Sequence, residues 1–471
     1  MGIIPKPAFR NLKTDSKSDK NHPGHITEMN LEFPRVLIFG QPFNSFSGGG
    51  ITLTNLFKGW PKDRIAVTYL GHGLVSVTTD VCDTYYQLGE KEHKWRFPFS
   101  LIQKKFESGL KSFDQKSEMP SRLNKKGFRY LVVNNLFYPA LEWLGLYHYA
   151  SKIEISSDFK RWLTEFNPEV LYIQVATRET LLFAGDLSDF LKIPCVIHNM
   201  DDWPSTISSK GLLKNYLGKK IDKEFRSLLD RMDLFLSISD AMSSEYKKRY
   251  GKDFIPFHNP IDTKKFSGLE KKGFAEDNLL RILYLGRIGM ANKESLYFFS
   301  KAVSSWPGEH PGICLDIFTP DLDSPDSRLI RNLKNVRLSL PVKHEDVPAL
   351  LAASDLLLLP LDFNQNGMNY AQFSMPTKAS EYMMSGTPII VFAPAETAIS
   401  RFCSENDCAY CLTGHEMNEI MRAIQFIIEH EDFRKKWTRN AVGIASKLFE
   451  ATRVRENFQT MLAGLVNEQA K

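Results

Sequence analysis

Residues 373–388 read Phe-Ser-Met-Pro-Thr-Lys-Ala-Ser-Glu-Tyr-Met-Met-Ser-Gly-Thr-Pro, a spacing able to hold a phosphorylated diol. Pro376 carries the fixed φ of a first helical turn and Ser374 is placed to cap it. The helix formers from Ala379 to Met384 are stopped by Gly386 and Pro388. First-turn amides lack intrahelical partners and the helix dipole adds partial positive charge, so the turn at Thr377 and Lys378 suits a phosphate or diphosphate. Glu381 follows about one turn later, where an ionised carboxylate can accept two hydrogen bonds from a vicinal diol such as a ribose. The plainer alternative is an ordinary helix between two buried strands, its glutamate merely solvated, and the neighbouring segments must decide.

Those neighbours alternate. Residues 35–40 (Arg-Val-Leu-Ile-Phe-Gly) offer no polar face to water and predict a buried parallel strand. Residues 41–50 end Ser-Gly-Gly-Gly, and a helix is expected over 51–58. Strand, glycine loop and helix form a phosphate cradle, because Gly49 and Gly50 let backbone amides approach an oxyanion; a flexible turn is the equal alternative. The run is not G-x-G-x-x-G, and no acidic residue follows about twenty positions on at a strand end, so a dehydrogenase is the least favoured class. Further strands are expected over 65–69, 170–175, 194–198 and 234–239. His198 closes its strand and is followed by Asp201 and Asp202, at the strand ends where parallel sheets gather ligands. Hydrogen bonding to sugar hydroxyls and capping of the next helix each account for the two aspartates. Residues 263–278, charged and glycine-containing, are the expected boundary, after which strands over 281–285, 312–318, 336–338, 356–360 and 389–392 alternate with helices again. An α/β chain of two doubly wound domains facing one another follows.

A chain of 471 residues exceeds one core, and 43% hydrophobic with 24% charged residues leaves ample material for packed interiors. Net charge is +5, too small an excess to argue for nucleic acid. No run approaches the roughly eighteen apolar residues of a membrane span and the first thirty lack an apolar signal core, which predicts a cytoplasmic protein. Residues 104–129 are basic, with Phe106, Leu110 and Phe113 at helical spacing; a solvated face is the plainer reading, and peripheral contact with an anionic membrane at its inner face the alternative. The six cysteines read as reduced thiols. Cys408 and Cys411 have the C-x2-C spacing with Cys403 and His415 nearby, but crowd one strand and turn rather than closing a zinc site. Asp321-Leu322-Asp323 lies in a Pro- and Ser-rich stretch and reads as a surface turn. No metal is expected.

Taken together, Tyr284-Leu285-Gly286-Arg287-Ile288 with Lys293, the segment 340–360, and Met375-Pro376-Thr377-Lys378-Ala379-Ser380-Glu381-Tyr382 with Gly386-Thr387-Pro388 resemble the nucleotide-sugar half of glycosyltransferase family 4. Gly48-Gly49-Gly50-Ile51, His198, Ser237-Ile238-Ser239 and Asn259-Pro260-Ile261-Asp262 resemble landmarks of its first half, and coverage runs from about Arg35 to the C-terminus. Within the family the chain looks most like bacterial enzymes of surface-polysaccharide synthesis. The resemblance implies the GT-B architecture, two Rossmann-like doubly wound domains facing across a cleft: a loose leader over 1–33, an acceptor domain over 34–268, a nucleotide-sugar domain over 269–440, and a helix over 441–471 returning to the first. It implies transfer of a sugar from a nucleotide-sugar donor to a glycan or lipid-linked acceptor, with retained configuration, no metal and no cofactor, the nucleotide-sugar being a substrate.

By that resemblance Arg287 and Lys293 hold the diphosphate, Thr377 and Lys378 add the turn beside it, and Glu381 takes the ribose. The backbone at Val342 and Lys343 meets the base, Gly49 and Gly50 approach the diphosphate or acceptor, and His198 contacts the donor sugar or orients the acceptor. Fixed positive charge at the departing diphosphate is what such a reaction needs most. Two departures stand out. The family's paired glutamates lie eight positions apart, yet the partner of Glu381 falls on Phe373, which cannot hydrogen-bond a sugar. The interval from Arg287 to Lys293 is also one residue longer than usual. A nucleotide-sugar 2-epimerase of the same architecture and a non-catalytic sugar-nucleotide binding protein remain the alternatives.

Overall fold

Val36, Leu37, Ile38 and Phe39 are all fully buried, so strand β1 (Val36–Phe39) must lie inside a sheet covered on both faces. The computed structural model describes residues 33–45, 47–70, 77–97, 99–101, 105–111, 141, 143–207, 211–269, 273–275, 277–307 and 311–469. Strand β1 is central in an eight-stranded sheet with β2 (Ile65–Leu70), β3 (Tyr85–Leu88), β5 (Gly109–Lys111), β7 (Val170–Ile173), β8 (Cys195–Asn199), β9 (Leu234–Ser237) and β10 (Ile255–Pro256), in the order β10-β9-β8-β7-β1-β2-β3-β5. Every pairing is parallel except the edge pair β3–β5. A separate antiparallel pair joins β4 (His93–Trp95) to β6 (Ser151–Ile153).

The second lobe holds β11 (Leu279–Leu285), β12 (Gly312–Phe318), β13 (Val336–Ser339), β14 (Leu356–Pro360), β15 (Ile389–Phe392) and β16 (Tyr410–Leu412), all parallel in the order β13-β12-β11-β14-β15-β16. Alternate residues of each sheet feed two cores. In the first lobe Leu37, Phe39, Leu171 and Ile173 face one way and Val36, Ile38, Val170 and Tyr172 the other; in the second, Ile282, Leu358 and Phe392 oppose Leu283, Leu357 and Val391. The last helix, Ala451–Gln469, returns to the first lobe and sets Phe458 against Phe57, Tyr172 and Phe257 at 5.0, 6.0 and 5.5 Å between ring centres.

Three local expectations are corrected. The glycine triplet is not a loop: a helix runs Gly48–Phe57, because the Ser47 hydroxyl accepts from Gly50 N at 3.1 Å and so caps it. The expected cap at Ser374 is absent, since the helix Ala379–Met384 starts later and has no side-chain cap, and Ser374 turns to the other lobe instead. The helical spacing expected at Phe106 and Leu110 fails as well. Gly109 has φ of +125° and leads into edge strand β5, while the backbone of 106–108 runs so close to Gly89 that a Cβ there would lie 2.4 Å from Glu107 C. Most of the remaining basic stretch, with Phe113, lies outside the described residues.

Candidate functional site

The carboxyl ends of β1, β7 and β8 open onto a cavity of about 510 Å³ between the two lobes, with Tyr370, Ala371 and residues 374–377 on its opposite wall. Gly40 ends β1 at φ of +100°, and a Cβ there would stand 1.9 Å from the carbonyl oxygen of Gln174 at the end of β7. Only glycine fits. Gly40→Ala is expected to destabilise the fold by at least the ~1–3 kcal/mol of a strained backbone position, read as a lower midpoint in chemical denaturation.

His198 lies on β8 and is 1% exposed. Its Nδ1 is 2.5 Å from the Tyr172 hydroxyl, and Gln174 Nε2 donates to that same hydroxyl oxygen at 3.3 Å. Its Nε2 is buried with no hydrogen-bond partner among the described residues. Burial pulls the imidazole down to about 3, so at neutral pH His198 is an uncharged imidazole on the cavity floor rather than an imidazolium. Tyr172 and Gln174 escaped the sequence reading. Their signal was the two-residue period that puts both on the same side of their strand.

The glycine turn and the Thr377 turn meet across the cavity. A Cβ on Gly48 would lie 3.4 Å from Thr377 Cγ2, and one on Gly49 would lie 3.1 Å from Gln41 Oε1. Gly50 is turned inward, where a Cβ would collide with the Asn44 amide at 2.2 Å; its glycine serves packing. The Thr377 carbonyl accepts from Asn259 Nδ2 at 3.1 Å, and Asn259 Oδ1 accepts from Asn55 Nδ2 at 2.9 Å, so a residue between the lobes ties the first helix to this turn.

Lys378 folds its amine over the Tyr284 ring, 4.1 Å from the centre, and against Gly286, where a Cβ would stand 2.4 Å from Nζ. Gly286, at φ of +141°, thus makes room for the amine directly before Arg287. The Arg287 carbonyl accepts from the Tyr284 hydroxyl at 2.6 Å and from Asn292 Nδ2 at 3.1 Å, which fixes the loop. The Arg287 guanidinium is largely exposed and pairs with Asp321, whose carboxylate also accepts from Ile288 N at 3.2 Å. Asp321 is therefore an anchor for this loop. Lys293 opens the helix Lys293–Ser304, its amide donating to Gly289 O at 3.0 Å, and its side chain makes no hydrogen bond or ion pair with Arg287, Lys378 or Glu381.

Glu381 lies beyond the cavity, in a smaller recess shared with Lys58, Asp262, Lys265, His344 and Arg455. Its Oε1 is 3.8 Å from His344 Nε2. Desolvation raises the carboxyl to about 7 against the pull of Lys265 and Lys378, and desolvation lowers the Lys378 amine to about 7 against the pull of Glu381. His344 was missed by the sequence reading although it directly follows Val342 and Lys343, the segment expected to meet a base. Lys343 itself is exposed and lies 3.7 Å from Glu345.

The two aspartates part company. Asp202 is 3% exposed and fully engaged: Arg249 Nη1 donates to its two oxygens at 3.0 and 2.9 Å, Tyr246 at 3.0 Å and Ser205 at 2.7 Å. Asp201 lines the cavity. Among the described residues no cluster of histidine, cysteine and carboxylate side chains is fit to hold a metal, and His415 stacks on Phe298 away from the thiols.

Residues 280–430 match the family described as Glycosyl transferases group 1. Those residues span β11 to β16 and include Arg287, Lys378 and Glu381. The chain is a glycosyltransferase. Its fold is GT-B, as similar solved structures show: Anabaena HepE with UDP and glucose (TM-score 0.57, 14% identity, covering 91% of this chain and 99% of that one), a Thermosynechococcus elongatus sucrose-phosphate synthase (0.58, 12%, 92% and 99%) and a Rickettsia africae glycosyltransferase (0.54, 10%, 92% and 99%). No curated protein sequence matches the enzyme. No helix among its described residues is long and apolar enough to cross a membrane.

Proposed function

We propose that the enzyme moves a sugar from a nucleotide-sugar to a glycan or lipid-linked acceptor, as a family 4 member acting in bacterial surface-polysaccharide synthesis at the cytoplasmic side of the membrane. The observation that carries this is the approach of the glycine turn to Thr377 across one cavity, with the next residue, Lys378, packing its amine against Gly286 directly before Arg287. Lys378 and Arg287 supply positive charge for the diphosphate, Thr377 and Gly49 line its path, and Lys293 reinforces it from the next helix. Glu381 holds the ribose and the backbone of Val342 and Lys343 the base. His198 and Asp201 face the sugar or the acceptor. Asp202 serves through Arg249 to shape the wall behind them. HepE structures contain UDP and UDP-glucose, which makes UDP the first nucleotide to test.

Transfer proceeds without metal and with retention. The sugar–phosphate bond breaks as the acceptor oxygen bonds to the anomeric carbon on the same face, and the acceptor proton passes to an oxygen of the departing diphosphate. A thermal-shift and hydrolysis screen across UDP-, GDP- and TDP-sugars tests the reading. Selective stabilisation by one nucleotide, with release of its diphosphate, is expected; stabilisation by none would count against it. NMR of the donor with enzyme alone separates transfer from 2-epimerisation, which would yield the epimer without acceptor.

Nucleotide affinity is expected to peak near pH 7. A diphosphate binds the Lys378 ammonium, so its amine, at about 7 in the free enzyme, must take up a proton on binding at higher pH. The ribose diol needs the Glu381 carboxylate, which at lower pH must lose one. Affinity should fall on both sides, the two groups titrating as a pair. Calorimetry should show Lys378→Met abolishing the alkaline limb and Glu381→Gln the acid limb.

A further inference from the structure

Phe373 points away from the cavity that its sequence neighbours Ser374 to Thr377 line. Its ring packs onto the first-lobe core with the Arg249 guanidinium 5.2 Å from its centre, and its carbonyl accepts from Ser239 Oγ at 2.5 Å. The second lobe therefore gives the cavity no carboxylate at this position. Asp201 stands there instead, brought by the first lobe. Among the described residues lining the cavity it has the only carboxylate, and no lysine or arginine lines it.

We propose that Asp201 is the specificity-determining residue that reads the hydroxyls of the transferred sugar, an inference that rests on the nucleotide-sugar reading above. A carboxylate has about four acceptor sites. The one hydroxyl beside it, Ser374 Oγ, lies 3.2 Å from Asp201 Oδ1, 3.0 Å from the Tyr370 carbonyl and 3.5 Å from the Met200 carbonyl, so a single proton is shared among acceptors of both lobes. Asp201 thus faces the cavity with most of its accepting capacity unused, where Asp202 beside it has none to spare. Placement favours the donor sugar over the acceptor. Ser374 and Thr377 are three residues apart, a span of at most ~10 Å, so a hexose hung from a phosphate at Thr377 brings its hydroxyls to Asp201. Phe373, latched to the first lobe, holds that distance. Sugar recognition then requires both lobes to be in place, since the nucleotide is held by one and the sugar is read by the other.

The test compares Kd for UDP, GDP or TDP, whichever stabilises the wild type, with Kd for its glucosyl, galactosyl and mannosyl esters. Asp201→Asn and Asp201→Ala should leave the free nucleotide within about twofold, while removing about tenfold to a hundredfold of the preference for one ester, the worth of a charged hydrogen bond. Ser374→Ala should keep that preference. Unchanged discrimination in both Asp201 variants, or equal loss of nucleotide and ester, would overturn the inference. A wild type that binds no nucleoside diphosphate would remove the underlying reading and the inference with it.

Discussion

Lys378→Ala is expected to lower kcat/KM for donor cleavage by about 10²–10³, the cost of removing one preorganised charge from a site where negative charge develops. The amine is enclosed between the Tyr284 ring and Gly286, which orients it before substrate arrives. Arg287→Ala should cost less, because its guanidinium is exposed and shared with Asp321. Enclosure has a thermodynamic signature. Burial holds the Lys378 amine well below the usual lysine range, so the charged form is disfavoured in the folded enzyme. Below about pH 7, where the unfolded lysine is fully protonated and the folded one must be charged against desolvation, Lys378→Ala should leave Tm unchanged or raised while activity collapses. A parallel fall of Tm and activity would mean that the lysine holds the fold.

Arg249→Ala should lower stability by about 3 kcal/mol, because it leaves the Asp202 carboxylate buried without a countercharge. Burial already raises the Asp202 carboxyl, with Arg249 the chief opposing influence, so the variant should also protonate it at higher pH. Asp201→Asn, one residue earlier, should be nearly neutral by the same denaturation measurement. Two adjacent aspartates of one type would then divide into a structural and a functional residue. Equal losses in the two variants would refute that division.

The strands were legible because parallel sheets covered on both faces leave no polar alternation, as at β1 and β14. His198 was legible because a histidine at a strand end is displayed by the topology itself. What stayed hidden spans long sequence distances. Asn259 meets Thr377, and Ser239 meets Phe373, across more than a hundred residues, and no local pattern signals either contact. The cap at Ser47 was masked by three glycines, whose low helix propensity is outweighed by the cap and by the close approaches of Asn44 and Thr377. Pro376 misled in the opposite way, since its fixed φ suits an extended segment as well as a first helical turn. That Phe373 stands where the resembled family has a glutamate was visible in the sequence; where its ring goes, and that Asp201 stands opposite, needed the packed lobes.

The most direct measurement is release of nucleoside diphosphate from a panel of UDP-, GDP- and TDP-sugars by wild type, Lys378→Ala and Glu381→Ala at matched folding. One nucleotide class should be cleaved by the wild type and lost in both variants, through kcat/KM for Lys378 and through nucleotide affinity for Glu381. Cleavage that survives both substitutions would place the donor elsewhere and contradict the account.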